Sequence, residues 1–300
     1  MPLHRLSQHR EIRAGLRGRI KRGVKMIPAS FEYLRADSVD AAIAALTEHG
    51  DEAKLLAGGH SLLPLMKLRL AAPSVLVDVG RLDDLRYIND AGDHIAIGAL
   101  TRHRDLEIST LLAAEAPLLS HAAGHVGDPQ VRHRGTLGGS LAHADPASDL
   151  PAVILAMGGT LIATGPNGSR EIAASEFFTG FLESALAPDE LLTEIRIPKL
   201  NAQGWSFQKF NRRAQDWAIV GVATVRANGA TGVALVNMGS TPLLASAVMD
   251  AVKSGASAAD AAALAIEGTE AQSDINASSE YREHLARVLV RRSLEESGLA

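Results

Sequence analysis

A glycine pair placed between a strand and a helix is the feature that most restricts how this chain can fold. Residues 54–57 have the apolar character of a short strand, Gly58–Gly59–His60–Ser61 follows directly, and residues 62–70 show a helical pattern with Pro64 in the first turn. Ser61 is placed to cap that helix. Free backbone N–H groups at such a turn favour an anion, and glycine lets a phosphate approach closely. The motif alone leaves two interpretations open, an anion-binding turn and a tight βα turn that binds nothing.

A second glycine pair lies in Thr136–Leu137–Gly138–Gly139–Ser140, preceded by the basic run 132–134. It belongs to a stretch from Gly127 to Asp149 that is rich in Gly, His, Asp and Pro, which predicts a long functional loop. A diphosphate needs donors that converge from several directions, so two such turns favour a diphosphate over a lone anion. Neither turn matches G-x-G-x-x-G or the Walker A pattern, which disfavours nicotinamide dinucleotides and nucleoside triphosphates.

The order of strand and helix patterns predicts a mixed α/β body that gives way, near Asn201, to an antiparallel meander with three helices. In the body, strands are predicted at 74–79, 85–88, 94–99, 160–163 and 191–197, and helices at 39–50, 102–112, 118–124 and 150–157. Beyond Pro198, strands are predicted at 205–212, 218–226 and 232–238, with Asn228–Gly229 as a hairpin turn and a last helix at 280–297.

The absence of cysteine from all 300 residues limits the chemistry more than any other count. Iron–sulfur clusters and most structural zinc sites depend on cysteine thiolates, so redox chemistry in this chain would need an organic cofactor. No apolar run approaches the roughly 20 residues of a membrane-spanning helix, and the net charge of −4 carries no basic stripe for nucleic acid. We therefore expect a cytoplasmic protein that does not bind nucleic acid.

Residues 1–25 form a separate basic segment, with eight Lys or Arg against one acid, Glu11. Two interpretations remain open: a disordered or non-native arm before a start at Met26, or a weak amphipathic helix that touches an anionic surface. The second follows from the spacing of four between Ile12, Leu16, Ile20 and Val24.

The two glycine motifs resemble the paired FAD-diphosphate loops of the flavin subunits of molybdenum hydroxylases. The similarity extends from Met26 to the end of the chain, since Met26–Ile27–Pro28, 62–70, 145–151 and 195–198 follow the family's order and spacing. The opening at Met26, the His60 position and the stretch that follows it are most similar to the carbon monoxide dehydrogenase branch. Xanthine, nicotinate and quinoline hydroxylases have similar flavin subunits.

The resemblance implies an α+β protein with the vanillyl-alcohol-oxidase (PCMH-type) FAD-binding fold. Two α/β subdomains, expected at 26–80 and 81–200, would grip an extended FAD. A C-terminal domain at 201–300 would contain a three-stranded antiparallel sheet and three helices.

The resemblance also assigns site residues. The residue at the Asp149 position contacts the sugar-like part of the cofactor, and the residue at the Lys209 position approaches the isoalloxazine. Trp217 lies where the family has a tyrosine near the ring, and Leu192 adds an apolar or backbone contact. Without the resemblance, Asp149 would be a helix N-cap, Lys209 a solvated strand residue and Trp217 a core residue. The expected FAD-binding set is Ala57, Gly58, Gly59, His60, Ser61, Thr136, Leu137, Gly138, Gly139, Ser140, Asp149, Leu192, Lys209 and Trp217.

No catalytic residue and no metal ligand is expected in this chain. His121 and His125 have the i, i+4 spacing of metal ligands, but no HExxH motif or supporting carboxylates accompany them. By resemblance, the partners are a large subunit with the molybdenum cofactor and a small subunit with two [2Fe–2S] clusters, in a dimer of heterotrimers. The resemblance implies a quinone or another carrier as electron acceptor. It leaves open whether the complex is free in the cytoplasm or peripheral at the inner face of the cytoplasmic membrane. Two other classes stay open: a stand-alone flavin oxidase, and a flavin-free module in which the glycine pairs are only turns.

Overall fold

The computed structural model describes residues 26–227 and 229–299, so the basic segment 1–25 and Asn228 of the predicted hairpin turn lie outside the described residues. The first unit contains β1 (Glu32–Arg35), α1 (Val39–His49), β2 (Ala53–Leu56), α2 (Leu62–Lys67) and β3 (Val75–Asp78). The three strands form a parallel sheet in the order β1-β3-β2. Ser38 starts α1 by accepting a hydrogen bond from the Ala41 N–H, and Gly50 ends it. The apolar face of α1 packs on this sheet and so holds the strand from which the first glycine turn leaves.

The second unit is an antiparallel sheet covered by short helices. Its strands are β4 (Ile88–Asp90), β5 (His94–Gly98), β6 (Thr160–Gly165), β7 (Gly168–Ala173) and β10 (Leu191–Pro198), ordered β4-β5-β10-β6-β7, with a separate hairpin of β8 (Phe178–Gly180) and β9 (Glu183–Ser184). The helices are α3 (His103–Ile108), α4 (Thr110–Glu115), α5 (Pro117–Ala123), α6 (Pro129–Arg134), α7 (Leu137–His143), α8 (Asp149–Ala156) and α9 (Ala174–Phe177). Every residue of α8 is buried, which makes this helix the centre of the molecule.

The predicted loop from Gly127 to Asp149 was wrong, because it contains α6 and α7. Asp128 begins α6 by accepting from the Val131 N–H, and Thr136 begins α7 by accepting from the Gly139 N–H. Each helix spans fewer than two turns, so the 3.6-residue periodicity that indicates a helix has no room to develop. The predicted helix 102–112 is likewise divided, because Ser109 ends α3 and caps α4.

The C-terminal unit is a second antiparallel sheet backed by three helices. The strands are β11 (Gly204–Phe210), β12 (Val220–Ala227), β13 (Ala230–Val236) and the two-residue β14 (Leu243–Leu244), and the helices are α10 (Ser246–Lys253), α11 (Ala258–Ala263) and α12 (Ser279–Glu296). The expected α+β class is confirmed, and the short β14 is an addition to the three expected strands.

The C-terminal sheet shares one hydrophobic core with the second unit. Phe207, Val225 and Val236 pack in the same buried cluster as the apolar residues of α8. Gly232 permits the closest approach, since a Cβ atom there would lie 2.1 Å from the carbonyl oxygen of Ala156 at the end of α8. This contact holds β13 against α8, and β11 belongs to the same sheet as β13, joined to it through β12. β11 and α8 each carry one predicted site residue.

Candidate functional site

A cleft of about 920 Å³ runs between the first glycine turn, α7, α8 and the end of β11. All of the predicted site residues except Leu137 line it. Leu137 is fully buried in the hydrophobic core, and its N–H group donates to the carbonyl oxygen of Thr101 at 3.0 Å. Residues from all three units therefore face one cavity.

The first glycine turn presents unused backbone donors. Within the described part of the chain, the N–H groups of Gly58, Gly59, His60 and Ser61 have no hydrogen-bond acceptor. Gly59 adopts φ +79°, a conformation that glycine allows at little cost. Ser61 occupies the N-cap position of α2 without a capping hydrogen bond from its side chain, so the predicted capping role was wrong. Four consecutive free donors are suited to bind an anion with several acceptor oxygens.

Most backbone N–H groups of the second glycine turn already donate to acceptors within the protein. The Gly138 N–H donates to the Ala99 carbonyl at 2.8 Å, the Gly139 N–H to Thr136 Oγ1 at 3.2 Å and the Ser140 N–H to the Thr136 carbonyl at 3.0 Å. Gly138 is required for packing, since a Cβ atom there would lie 2.6 Å from the Cβ of Ala99. The second turn therefore offers the cleft a close backbone surface at Gly139 and the hydroxyl of Ser140.

The two turns touch through their backbones. A Cβ atom on Gly58 would lie 2.3 Å from the Arg134 carbonyl oxygen and 2.9 Å from the Gly135 Cα, so only glycine fits there. The Arg102 guanidinium donates to the same Arg134 carbonyl. Burial, together with the neighbouring charges of Arg86 and Arg134, lowers the pKa of Arg102 to about 10. Cations thus accumulate around the first turn, which favours an anionic ligand.

Lys209 and Asp149 form a buried ion pair at the wall of the cleft. Lys209 Nζ lies 2.7 Å from Asp149 Oδ2 and donates to the His125 carbonyl at 3.0 Å, and each side chain of the ion pair is 6% exposed. The interpretation of Lys209 as a solvated strand residue is wrong, and Ser148 rather than Asp149 occupies the N-cap position of α8. Burial raises the pKa of Asp149, although the Lys209 charge opposes this shift. Asp149 Oδ1 is enclosed and has no donor, so it is free to accept one from a ligand.

Trp217 lies at the cleft with 55% of its surface exposed, so the core-packing interpretation is wrong. The segment that follows it is held from two sides. Asn237 Nδ2 donates to the Ala218 carbonyl at 2.8 Å, and Arg282 of α12 donates to the Ile219 carbonyl. Leu192, on β10, is buried at the cleft wall.

Two parts of the cleft escaped the sequence analysis. The first is His103, which is 4% exposed and carries an unpartnered Nδ1; its position at the start of a short helix gives no pattern that marks it. The second is the β8–β9 hairpin, which contributes Thr179, Leu182 and Glu183 and holds Leu182 at φ +58°. Strands of two or three residues are too short for alternation to reveal.

Within the described residues, no three His, Cys, Asp or Glu side chains are grouped to hold a metal ion. The His121 and His125 rings lie 4.5 Å apart by centroid, and His121 also packs against Trp205 at 5.1 Å. The His125 Nδ1 atom lies 3.0 Å from the His121 carbonyl oxygen. This pair packs behind the Lys209 ion pair, because the His125 carbonyl accepts from Lys209.

The cleft has free N–H donors at one wall, an unpaired carboxylate oxygen at a second wall and an exposed indole at a third. These features suit an extended ligand that has an anionic group, hydroxyls and a flat ring. The chain matches the family model of the FAD binding domain in molybdopterin dehydrogenase over residues 29–200. It matches the CO dehydrogenase flavoprotein C-terminal domain over residues 205–297. The chain belongs to the family of FAD-binding subunits of molybdenum hydroxylases, and its cofactor is FAD.

Two relatives illustrate the extent of the similarity. The carbon monoxide dehydrogenase medium chain of Hydrogenophaga pseudoflava is 41% identical, over 90% of this chain and 97% of the relative. Subunit alpha of the 6-hydroxypseudooxynicotine dehydrogenase complex of Paenarthrobacter nicotinovorans is 38% identical, over 90% and 95%. A solved carbon monoxide dehydrogenase structure from Hydrogenophaga pseudoflava superposes with a TM-score of 0.86, covering 90% of this chain and 98% of that one. The expected family, fold and cofactor are thereby confirmed.

The residues present fit FAD. Four free N–H groups beside a cluster of cations suit its diphosphate, and the enclosed Asp149 Oδ1 suits a hydroxyl of its ribityl chain. The exposed Trp217 offers a flat apolar surface for its ring. The cleft volume lies within the range of sites that bury a large organic ligand.

Proposed function

We propose that this chain is the flavin subunit of an aerobic carbon monoxide dehydrogenase complex, and that it carries electrons between other redox centres. The observation that carries the proposal is the match to carbon monoxide dehydrogenase medium chains along nearly their whole length, 97% in the relative from Hydrogenophaga pseudoflava and 97% in that from Afipia carboxidovorans. The absence of cysteine from this chain supports the relay role, because iron–sulfur clusters must then be held by other subunits.

In this proposal the chain's own residues bind and orient FAD. The N–H groups of the first glycine turn hold the diphosphate, with Gly139 and Ser140 closing the other side. Asp149 Oδ1 accepts from a hydroxyl, Lys209 pairs with Asp149 Oδ2, and Trp217 and Leu192 contact the ring. Bound FAD supplies a centre that exchanges one or two electrons, which suits a link between single-electron carriers and a two-electron acceptor.

The proposed partners are a large subunit with the molybdenum cofactor, where substrate is oxidised, and a small subunit with two [2Fe–2S] clusters, in a dimer of heterotrimers. The proposed electron acceptor is a quinone. Because quinones reside in the membrane, the complex would work on the cytoplasmic side, at the inner face of the membrane. No helix in the described ranges combines the length and apolar character needed to cross a bilayer.

A second candidate function is supported by a similar degree of likeness. The subunit from the 6-hydroxypseudooxynicotine dehydrogenase complex is 38% identical over 90% of this chain, against 41% for the carbon monoxide dehydrogenase chain. The large subunit, which binds the substrate, distinguishes the two candidates.

The test is to purify the complex from its native host through a tag on this chain. We expect two co-purifying subunits, one FAD per chain by absorbance, and reduction of an artificial dye when carbon monoxide is supplied. One solved relative is a Cu,Mo-CO dehydrogenase, so metal analysis of this complex should find copper and molybdenum in equal amounts. Molybdenum without copper, together with oxidation of an N-heterocycle in place of carbon monoxide, would favour the second candidate. Substrate oxidation by this chain alone would favour a stand-alone oxidase.

A further inference from the structure

Of the buried titratable residues that the structure describes in the cleft, His103 is the one to which the proposed function gives no task. It is the first residue of α3, and its backbone N–H donates to the Gly135 carbonyl at 3.1 Å. The side chain is buried yet reaches the lining of the cleft. Among the described residues it has no ion-pair partner and no side-chain hydrogen bond, and its Nδ1 atom is enclosed without a partner.

The His103 ring lies where the two glycine turns meet. A Cβ atom on Gly135 would lie 2.6 Å from His103 Cδ2 and 2.8 Å from Nε2, so the Nε2 edge of the ring packs directly against the backbone of Gly135. The opposite side of Gly135 faces the first turn, since a Cβ atom on Gly58 would lie 2.9 Å from the Gly135 Cα. One glycine therefore separates the ring from the turn with the free N–H groups.

The surroundings of the ring determine where its proton resides. Burial, with smaller contributions from His60, Arg102 and Arg132, lowers the pKa of His103 to about 4, so the imidazole is neutral near pH 7. A neutral imidazole has one N–H donor and one acceptor nitrogen. An enclosed N–H without an acceptor is less tolerated than an enclosed lone pair, so the unpartnered Nδ1 carries no proton and Nε2 carries it.

We propose that His103 is a binding residue for FAD, and that its Nε2–H donates a hydrogen bond to the diphosphate from the point where the two glycine turns meet. This inference rests on the proposed function of the cleft as the FAD site. It explains a buried imidazole with no protein partner: the missing acceptor is a phosphate oxygen of the cofactor. It also explains why Gly135 tolerates no side chain, because one would displace the ring.

The test compares two substitutions of similar size in the flavin-depleted complex. H103F keeps a planar ring but removes the donor, and H103Q keeps an amide nitrogen near the Nε2 position. The probes are FAD, ADP, which contains the diphosphate without the flavin ring, and riboflavin, which contains the ring without phosphate. Binding is followed by flavin fluorescence for FAD and riboflavin and by calorimetry for ADP.

We expect H103F to weaken FAD and ADP by the same factor, about 10- to 100-fold, which is typical for the loss of one hydrogen bond to a charged group. Riboflavin affinity should remain within twofold, and H103Q should regain most of the FAD affinity. H94F is the matched control, because His94 is a partly buried surface histidine on β5 outside the cleft, and its FAD affinity should equal that of the unmodified protein.

Two outcomes would overturn the role of His103: FAD affinity of H103F within twofold of the unmodified protein, or an equal loss for riboflavin, which would indicate a general packing defect. If H103F does not fold, H103M replaces it as the variant without a donor, and the comparison with H103Q decides. A complex that contains no FAD even with His103 present would refute the proposed function itself, which is a different result from either of these.

Discussion

At the residue scale, the buried ion pair between Lys209 and Asp149 lines the cleft that we propose as the FAD site. A carboxylate buried without compensation costs several kcal/mol, and the Lys209 ammonium at 2.7 Å offsets that cost at one oxygen only. The other oxygen, Oδ1, has no donor in the protein. The pair therefore keeps one acceptor available to the cofactor, and FAD binding should stabilise the fold by satisfying it.

Replacing Lys209 by Met should destabilise the protein by about 3–5 kcal/mol at pH 7, because it leaves a buried carboxylate without its partner. Burial already raises the Asp149 pKa, and loss of the ammonium raises it further. A carboxyl whose pKa is raised in the folded state contributes stability below its unfolded pKa, and that contribution is lost as pH rises through the folded pKa. The defect of K209M should therefore shrink as pH falls from 7 towards 4, as measured by urea unfolding at several pH values.

The double variant D149N/K209M tests the cause, since it removes the buried charge and should recover much of the lost free energy of unfolding at pH 7. K199M is the matched control. Lys199 pairs with Asp90 at a similar distance of 2.6 Å, but the Asp90 side chain is 49% exposed, so its loss should cost at most about 1 kcal/mol. A pH-independent loss in K209M would contradict the argument.

At the scale of elements, α12 and β13 together hold the segment that carries Trp217. Arg282 of α12 is 3% exposed, pairs with Asp274 at 2.7 Å and donates to the Ile219 carbonyl. Asn237, directly after β13, donates to the Ala218 carbonyl. Because the Trp217 indole is 55% exposed, the backbone anchoring of the two residues that follow it helps to hold it in one orientation.

Replacing Arg282 by Met should loosen this segment, since the Ile219 carbonyl then keeps only the longer hydrogen bond from Asn237 Nδ2, at 3.3 Å. We expect a stability loss of about 1–3 kcal/mol, as for the loss of a buried hydrogen bond from a charged group. We also expect higher flavin fluorescence from reduced contact between Trp217 and the ring. W217F/R282M should show no further fluorescence change relative to W217F, whereas a further change would show that Arg282 acts on the flavin by another route. R291M, which breaks an exposed i, i+4 ion pair on the same helix, is the control for α12.

The secondary-structure elements and site residues differ in how well the sequence alone predicts them. The turn at Gly58–Gly59 was predictable, because a strand, two glycines and a helix follow one another locally. The helices α6 and α7 were not, since six or seven residues give no periodicity. His103 could not be found at all, because its position in the cleft arises from contact with Gly135, 32 residues further along the chain. Long-range packing, which no local pattern encodes, completes the candidate site.

At the scale of the whole molecule, the cofactor cleft depends on the joint between the C-terminal sheet and α8. Asp149 begins α8 and Lys209 lies on β11, while β13 of the same sheet packs closely on the other end of α8 at Gly232. The Asn237 N–H adds a hydrogen bond to the Pro146 carbonyl at 2.8 Å, just before α8. The C-terminal sheet therefore forms one wall of the proposed cofactor site as well as part of the fold.

Replacing Gly232 by Ala tests this joint. The new Cβ would lie 2.1 Å from the Ala156 carbonyl oxygen, so β13 and α8 must separate, and the shared core around Phe207 and Val225 must loosen. We expect a loss of more than about 2 kcal/mol in the free energy of unfolding, in the range of overpacked cores, and a weaker affinity for FAD because Lys209 moves away from Asp149. G124A is the control: its Cβ would meet nothing closer than 3.3 Å, so it should change neither quantity appreciably. If G232A lost stability but bound FAD with unchanged affinity, the cleft would be independent of the joint.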